Sequence, residues 1–153
     1  MDLVNLVFGT YGSWSHLVVR LALGIIFFAH GAQKVLGWFG GPGLKGTVGY
    51  MKQALGVPAP LAVLASLTEF LGGISMVVGL LVRPSAIGLI VVMLVAIAKV
   101  HGKNGLFINF ANTPGKGHGY ELNLALAAMA LSILIGGAGA FSIDRLIAPW
   151  GRP

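Results

Sequence analysis

Long apolar runs, broken by glycine, proline and isolated lysines, set the pattern of this chain. Residues 1–15 mix Leu3, Val4, Leu6, Val7, Phe8, Tyr11 and Trp14 with Gly9, Thr10, Gly12 and Ser13. That piece is too short and too interrupted to cross a bilayer. It reads as an interfacial segment with Tyr11 and Trp14 at headgroup level. Four apolar runs follow, over about 16–36, 59–82, 85–100 and 120–143. Each is near the ~20 residues that a membrane helix needs, the third being the shortest. Between the first two, residues 37–57 open on Gly40-Gly41-Pro42-Gly43 and then alternate Val48, Met51 and Leu55 with Lys45, Lys52 and Gln53. This spacing predicts a short amphipathic turn or two on the membrane surface. Arg83-Pro84 makes a tight turn between the second and third runs, and residues 102–119 form a second long, polar connector. Long, short and long connectors imply an all-α, integral membrane four-helix bundle of up-down-up-down order, one domain over 1–153. Small residues at four-residue steps, Ala128, Ser132, Gly136 and Ala140 in the last run and Ser75 and Gly79 in the second, are expected to pack helices together.

Composition agrees with a membrane protein. The 153 residues are 56% hydrophobic and 9% charged, against about 25% charged in soluble domains. Ten Lys/Arg against four Asp/Glu give a net charge of +6. The basic residues stand singly near the ends of apolar runs, without the stripes or stacking aromatics of a nucleic-acid binder. They read as anchors at anionic lipid headgroups, and Arg20 as a snorkelling anchor at the far side of the first span. Taking Arg20 instead as the basic flank of a signal peptide, cleaved near Ala29-His30-Gly31, would leave three spans and an unpaired helix. There is no cysteine, which excludes disulfide exchange, thiolate catalysis, iron–sulfur ligation and c-type haem attachment.

The order of the spans places His30, Lys34, Lys99, His101, His118, Glu121 and Asn123 toward one side of the membrane. Glu69 lies ten residues into the second span from that side, about 15 Å at 1.5 Å per residue. A charge at mid-membrane costs ~2.5–3.5 kcal/mol on insertion scales and faces a bundle interior or water. Glu69 therefore needs a partner or must keep its proton, and Lys34, Lys99 and His30 are the available partners. His30 and Lys34 share a helix face one turn apart. At 100° per residue, Lys99 and His101 point about 200° apart, as do Glu121 and Asn123, so an unbroken helix admits one of each pair to a cavity. Lys99 and Glu121 are favoured, with His101 able to enter if it lies past a helix end and Lys99 able to serve as an interfacial anchor instead. A metal site from His30, His101, His118 and Glu121 is disfavoured, because the spacing is unlike HExxH and the lysines repel cations, and paired-histidine haem ligation by His30 and His101 is similarly unforced. No serine triad, phosphate-binding loop or dinucleotide fingerprint is present.

The motifs resemble those of a known family. His30-Gly31-Ala32-Gln33-Lys34 with Gly37-Trp38-Phe39-Gly40-Gly41, then Glu69-Phe70-Leu71-Gly72-Gly73 through Gly79-Leu80-Leu81-Val82-Arg83-Pro84, then Gly137-Ala138-Gly139-Ala140-Phe141-Ser142-Ile143-Asp144, are similar in order and content to the DoxX family. The resemblance implies a bacterial-type inner-membrane protein of four helices, related to the DoxD small subunit of thiosulfate:quinone oxidoreductases. It also implies cytoplasmic termini, although basic residues alone give no bias: Lys45, Lys52, Lys103 and Lys116 face Arg83, Arg145 and Arg152.

The reading that follows is a redox-associated subunit that binds a quinone or similar lipophilic ligand in a polar pocket near one membrane face. His30, Lys34 and Glu69 would do the proton chemistry, and His30, Gln33, Lys34, Trp38, Glu69, Lys99, His101, Glu121 and Asn123 would line the ligand site. No cofactor is evident from the residues themselves. An oxidoreductase partner would dock on 37–57 and 102–119. Rival readings are a non-catalytic scaffold or assembly factor and a small transporter or proton path.

Overall fold

The computed structural model describes residues 3–148; the C-terminal Arg152, counted above among the basic residues, lies outside them. The described chain is helical, without strands. Its helices are α1 (Leu3–Phe8), α2 (Trp14–Val35), α3 (Gly43–Leu55), α4 (Ala59–Val78), α5 (Val82–Ala96), α6 (Glu121–Gly136) and α7 (Ile143–Ile147). Three stretches are long and apolar enough to cross a membrane: Trp14–Val35, Ala59–Val78 and Val82–Asn104. The last of these is α5 extended by a π-helical turn, Ile97–His101, and a 3-10 turn, Gly102–Asn104.

Local chemistry sets the ends. The Ser13 hydroxyl accepts from the His16 amide and starts α2, as expected of a serine N-cap. Gly56 (φ 64°) closes α3, and Pro58 with Pro60 opens α4, each residue suited to that end. Gly79 (φ 76°) closes α4, and three residues later α5 has begun. The surface connector is better ordered than a turn or two: α3 runs for 13 residues against α2 and α4.

Helix α2 packs on α4, α4 on α5, α5 on α6, and α6 returns to α2. The core between them is Leu23 and Phe27 of α2, Met76 of α4, Val82, Ala86, Leu89 and Met93 of α5, and Leu126, Ala130 and Ile133 of α6. Outward faces are equally apolar: Ile25, Leu64, Leu71, Ile87, Val91, Leu94, Leu131 and Ile135 are exposed. Helices hydrophobic all round belong in lipid. Exposed aromatic rings gather at both ends, Tyr11, Trp14 and Phe141 at one and Trp38, Phe39 and Phe107 at the other, the usual position for interfacial belts.

The α2–α4 seam is the closest. A Cβ at Gly31 would fall on the Phe70 backbone, and one at Gly73 on the backbone of Phe28; one at Gly24 would meet Val77. The pairs ascend on α2 as they descend on α4, so the two helices are antiparallel. Small residues let them approach without an intervening side chain.

Three expectations change. The last run is not helical to residue 143, because Gly137 (φ 79°) and Gly139 (φ 78°) end α6 at Gly136 and turn the chain back into the bundle end. Ala128 and Ser132 are exposed on α6, whose buried face is Leu126, Ala130 and Ile133, so that part of the small-residue stripe packs nothing. Ser75 builds the α4–α5 turn instead, donating to the Leu80 carbonyl and accepting from Ser85.

Arg20 is the largest departure. It does not snorkel; it is 1% exposed. Its guanidinium donates to the carbonyls of Met76 and Val77, at the end of α4, and to those of Ala138, Ala140 and Phe141 in the returning chain. Arg83 likewise donates to Leu134 and Ile135 of α6 and to Asn5 and Leu6 of α1. Asp144 accepts from the Leu81 and Val82 amides at the start of α5 (2.8 and 3.0 Å). Cations thus meet helix C-termini and an anion meets an N-terminus, the arrangement that helix dipoles favour. Sequence position alone cannot distinguish an anchor from such a cap; five acceptors arriving from 56 to 121 residues away do.

Candidate polar cavity

At the opposite end, a cavity of about 430 Å³ opens between α2, α4, α5, α6 and the 102–119 connector. Its apolar wall is Phe27, Met93, Leu122 and Leu126, and its polar wall is His30, Lys34, Glu69, His101, His118 and Asn123. The size falls within the range of small-molecule sites, which are mostly apolar with a few convergent polar groups.

Glu69 is 3% exposed, and both of its carboxylate oxygens accept from Lys34 Nζ at 2.5 Å. The glycine-lined α2–α4 seam makes this reach short. The Lys34 side chain keeps 27% of its surface and faces the cavity with the pair's open side. One turn earlier on the same face stands His30, exposed at the mouth. Thr47 of α3 donates to the Lys34 carbonyl at 3.3 Å and ties the end of α2 down.

The two helix-phase choices resolve against Lys99 and Glu121. In an α-helix, Met93 and Ala96 would be followed on the inward face by Val100. The π-helical turn inserts one residue, as π-bulges do, so His101 lines the cavity and Lys99 is turned outward beside Val57, Pro58 and Val95. On α6, Asn123 is in phase with the buried Leu126, Ala130 and Ile133, and Glu121 is not. The Asn123 amide lies 3.4 Å from Met93 Sδ. Glu121 instead organises the connector: its carboxylate accepts from the Ile108 amide at 3.1 Å. The carbonyls of Phe107, Gly105 and Leu106 accept from the amides of Gly119, Tyr120 and Glu121.

Gln33 and Trp38 also stand outside the cavity. Gln33 Nε2 donates to the Phe39 carbonyl at 3.4 Å and braces the Trp38–Gly40 turn. Trp38 meets Phe28 edge-on at 6.5 Å, and Phe28 stacks on Phe70 at 5.6 Å, forming an aromatic cluster on the lipid side of the seam. His118, in contrast, belongs to the wall. Its carbonyl faces His101 Nδ1 at 3.0 Å and accepts from Asn104, and its Nδ1 accepts from the Asn109 amide. The available signal for His118 was its place on the connector side with the other polar groups. Among the described residues, no three His, Asp or Glu side chains gather as metal ligands would.

Chemically, the cavity offers a buried carboxylate–ammonium pair, three imidazoles and an amide against an apolar wall. It suits a molecule with a small polar head and an apolar body. Residues 15–102 match the DoxX family model. Inner membrane protein YqjF of Escherichia coli is 33% identical over 131 residues, covering 86% of this chain and 90% of that protein. A protein of Haemophilus influenzae is 31% identical over 130 residues (83% and 86%), and inner membrane protein YphA of Escherichia coli is 30% identical over 136 residues (84% and 87%). No solved structure matches the chain.

Proposed function

This chain belongs to the DoxX family, and from that premise we propose that it is an inner-membrane, redox-associated subunit that binds a quinone or similar lipophilic ligand. In this reading α2, α4, α5 and α6 cross the bilayer as an up-down-up-down bundle with cytoplasmic termini, so the cavity opens toward the outer face. The inner-membrane names of YqjF and YphA support the location.

The observation that carries the proposal is the Lys34–Glu69 pair in the wall of a 430 Å³ cavity, one helical turn from His30. An intramembrane ionisable pair facing a cavity marks a functional site more often than a structural one. The ligand head would sit between His30, Glu69, His101 and Asn123, with its apolar part along Phe27 and Leu126. As the partner's electrons reduce the quinone head to a quinol, His30 would hydrogen-bond one oxygen and pass it a proton, and Glu69 would relay the second proton to the other oxygen, with Lys34 holding the carboxylate in place. These side chains handle protons; electrons would come from a partner oxidoreductase docked on 37–57 and 102–119.

The test is extraction and mass spectrometry of the quinone that co-purifies, followed by titration of the purified protein with a short-chain ubiquinone. Binding is expected to fall at least tenfold in His30→Ala and in Glu69→Gln. Unchanged binding in both overturns the proposal.

A further inference from the structure

The outer face of the α4–α5 seam carries two apolar hollows placed end to end. The first, about 610 Å³, extends from Gly56, Val57 and Pro58 to Thr68 and Gly88. The second, about 630 Å³, continues from Thr68 and Gly88 to Leu81 and Ser85 at the α4–α5 turn. Gly88 to Lys99 is eleven residues (99 − 88), about 16 Å of helix. Half the hydrocarbon core of a bilayer is about 15 Å. The first hollow therefore has about the length of one leaflet.

Of the two hollows, the first alone includes an accessible cation among the described residues that line it. The π-helical turn that brings His101 inward leaves Lys99 exposed at the hollow's mouth, and no carboxylate among the described residues pairs with it. At the other end, Ser75 and Ser85 hydrogen-bond each other at 2.7 Å, and Arg83 is turned inward onto carbonyls.

We propose that the connector-side half of this seam is a binding site for an anionic phospholipid, with an acyl chain along the α4–α5 groove and the phosphate on Lys99. The small side chains of Ala65, Thr68 and Gly88 leave room for a chain. The ammonium at the groove's head selects a net negative headgroup over a zwitterionic one. A transmembrane helix from a second chain would fill the groove but would need a carboxylate at the same level to answer Lys99.

The test is native mass spectrometry of the full chain after reconstitution in vesicles containing equal phosphatidylglycerol and phosphatidylethanolamine of identical chains. One phosphatidylglycerol is expected to be retained in preference. Lys99→Gln should weaken that preference about fivefold, the weight of one lysine at a charged surface, and Lys99→Arg should preserve it. Gly88→Leu should reduce retention of both lipids, since its side chain enters the groove. Equal retention of the two lipids by the natural chain, or an unchanged preference in Lys99→Gln, overturns the proposal. So does efficient disulfide-linked dimer formation by Thr68→Cys in the bilayer, which would give the groove to a second copy.

Discussion

The ammonium of Lys34 spans the α2–α4 seam to both oxygens of Glu69 at 2.5 Å, in the polar wall of the cavity. Removing one partner strands the other. Lys34→Met is expected to destabilise the fold by roughly 3 kcal/mol, the low end for a broken buried pair because Lys34 is partly exposed. The double variant Lys34→Met/Glu69→Leu should recover most of that loss while leaving quinone binding abolished. Thermal melting in detergent, read beside the ubiquinone titration, separates the two effects.

Gly31 rests on the Phe70 backbone one turn before Lys34. Gly31→Val forces α2 and α4 apart, at a cost of roughly 3 kcal/mol by the scale of core overpacking. Ligand binding should fall as well, since Lys34 is carried away from Glu69. A lowered melting temperature with undiminished binding would show that the seam does not position the pair.

Arg20 distinguishes a cap from an anchor. An interfacial anchor tolerates lysine; a guanidinium shared among five carbonyls does not, because one ammonium has three donors and no planar fork. Arg20→Lys and Arg20→Met are both expected to cost at least ~2 kcal/mol, measured by thermal melting.

Glu121 and Asn123 should separate by phenotype. Glu121→Ala frees the Ile108 amide and is expected to speed hydrogen exchange and proteolysis across 105–119. Asn123→Leu should leave that exchange unchanged and weaken ubiquinone binding.

Burial holds the Asp144 carboxyl above its ordinary value of 3.8, with the Val82 and Leu81 amides and the Arg20 and Arg83 charges pulling the other way. The folded chain therefore holds this proton more tightly than the unfolded chain. The associated stability is full below the unfolded value and is lost as pH rises through the folded one. Subtracting the melting profile of Asp144→Asn from that of the natural chain should leave a difference that declines with rising pH above about 4. A difference that grows with pH would reverse the sign.

Much of the helical order was legible, because runs of about twenty apolar residues have few alternatives. His30, Lys34 and Glu69 were legible as neighbours, since connector lengths place them on one side and helix spacing on one face. The choice between Lys99 and His101 was not, because a single π-helical turn shifts the phase and leaves no mark in residue type. Asn123 and Glu121 were ambiguous for another reason: α6 is apolar on every face, so its buried stripe cannot be recognised from hydrophobicity. Arg20 was misread because its acceptors are backbone carbonyls, which every residue has.

Those carbonyls also impose an order in time. Arg20 lies 120 residues before Ala140, so at ~5–20 residues per second the ribosome needs roughly 6–24 s to make its last acceptors after making the arginine. For that interval the first membrane helix carries a charge whose partner set is incomplete: the Met76 and Val77 carbonyls arrive part-way through, and the other three only at the end. The translocon, water or lipid phosphates must shelter it until the chain returns through Gly137 and Gly139. The bundle's terminal end can therefore close only after residues 138–141 have been made.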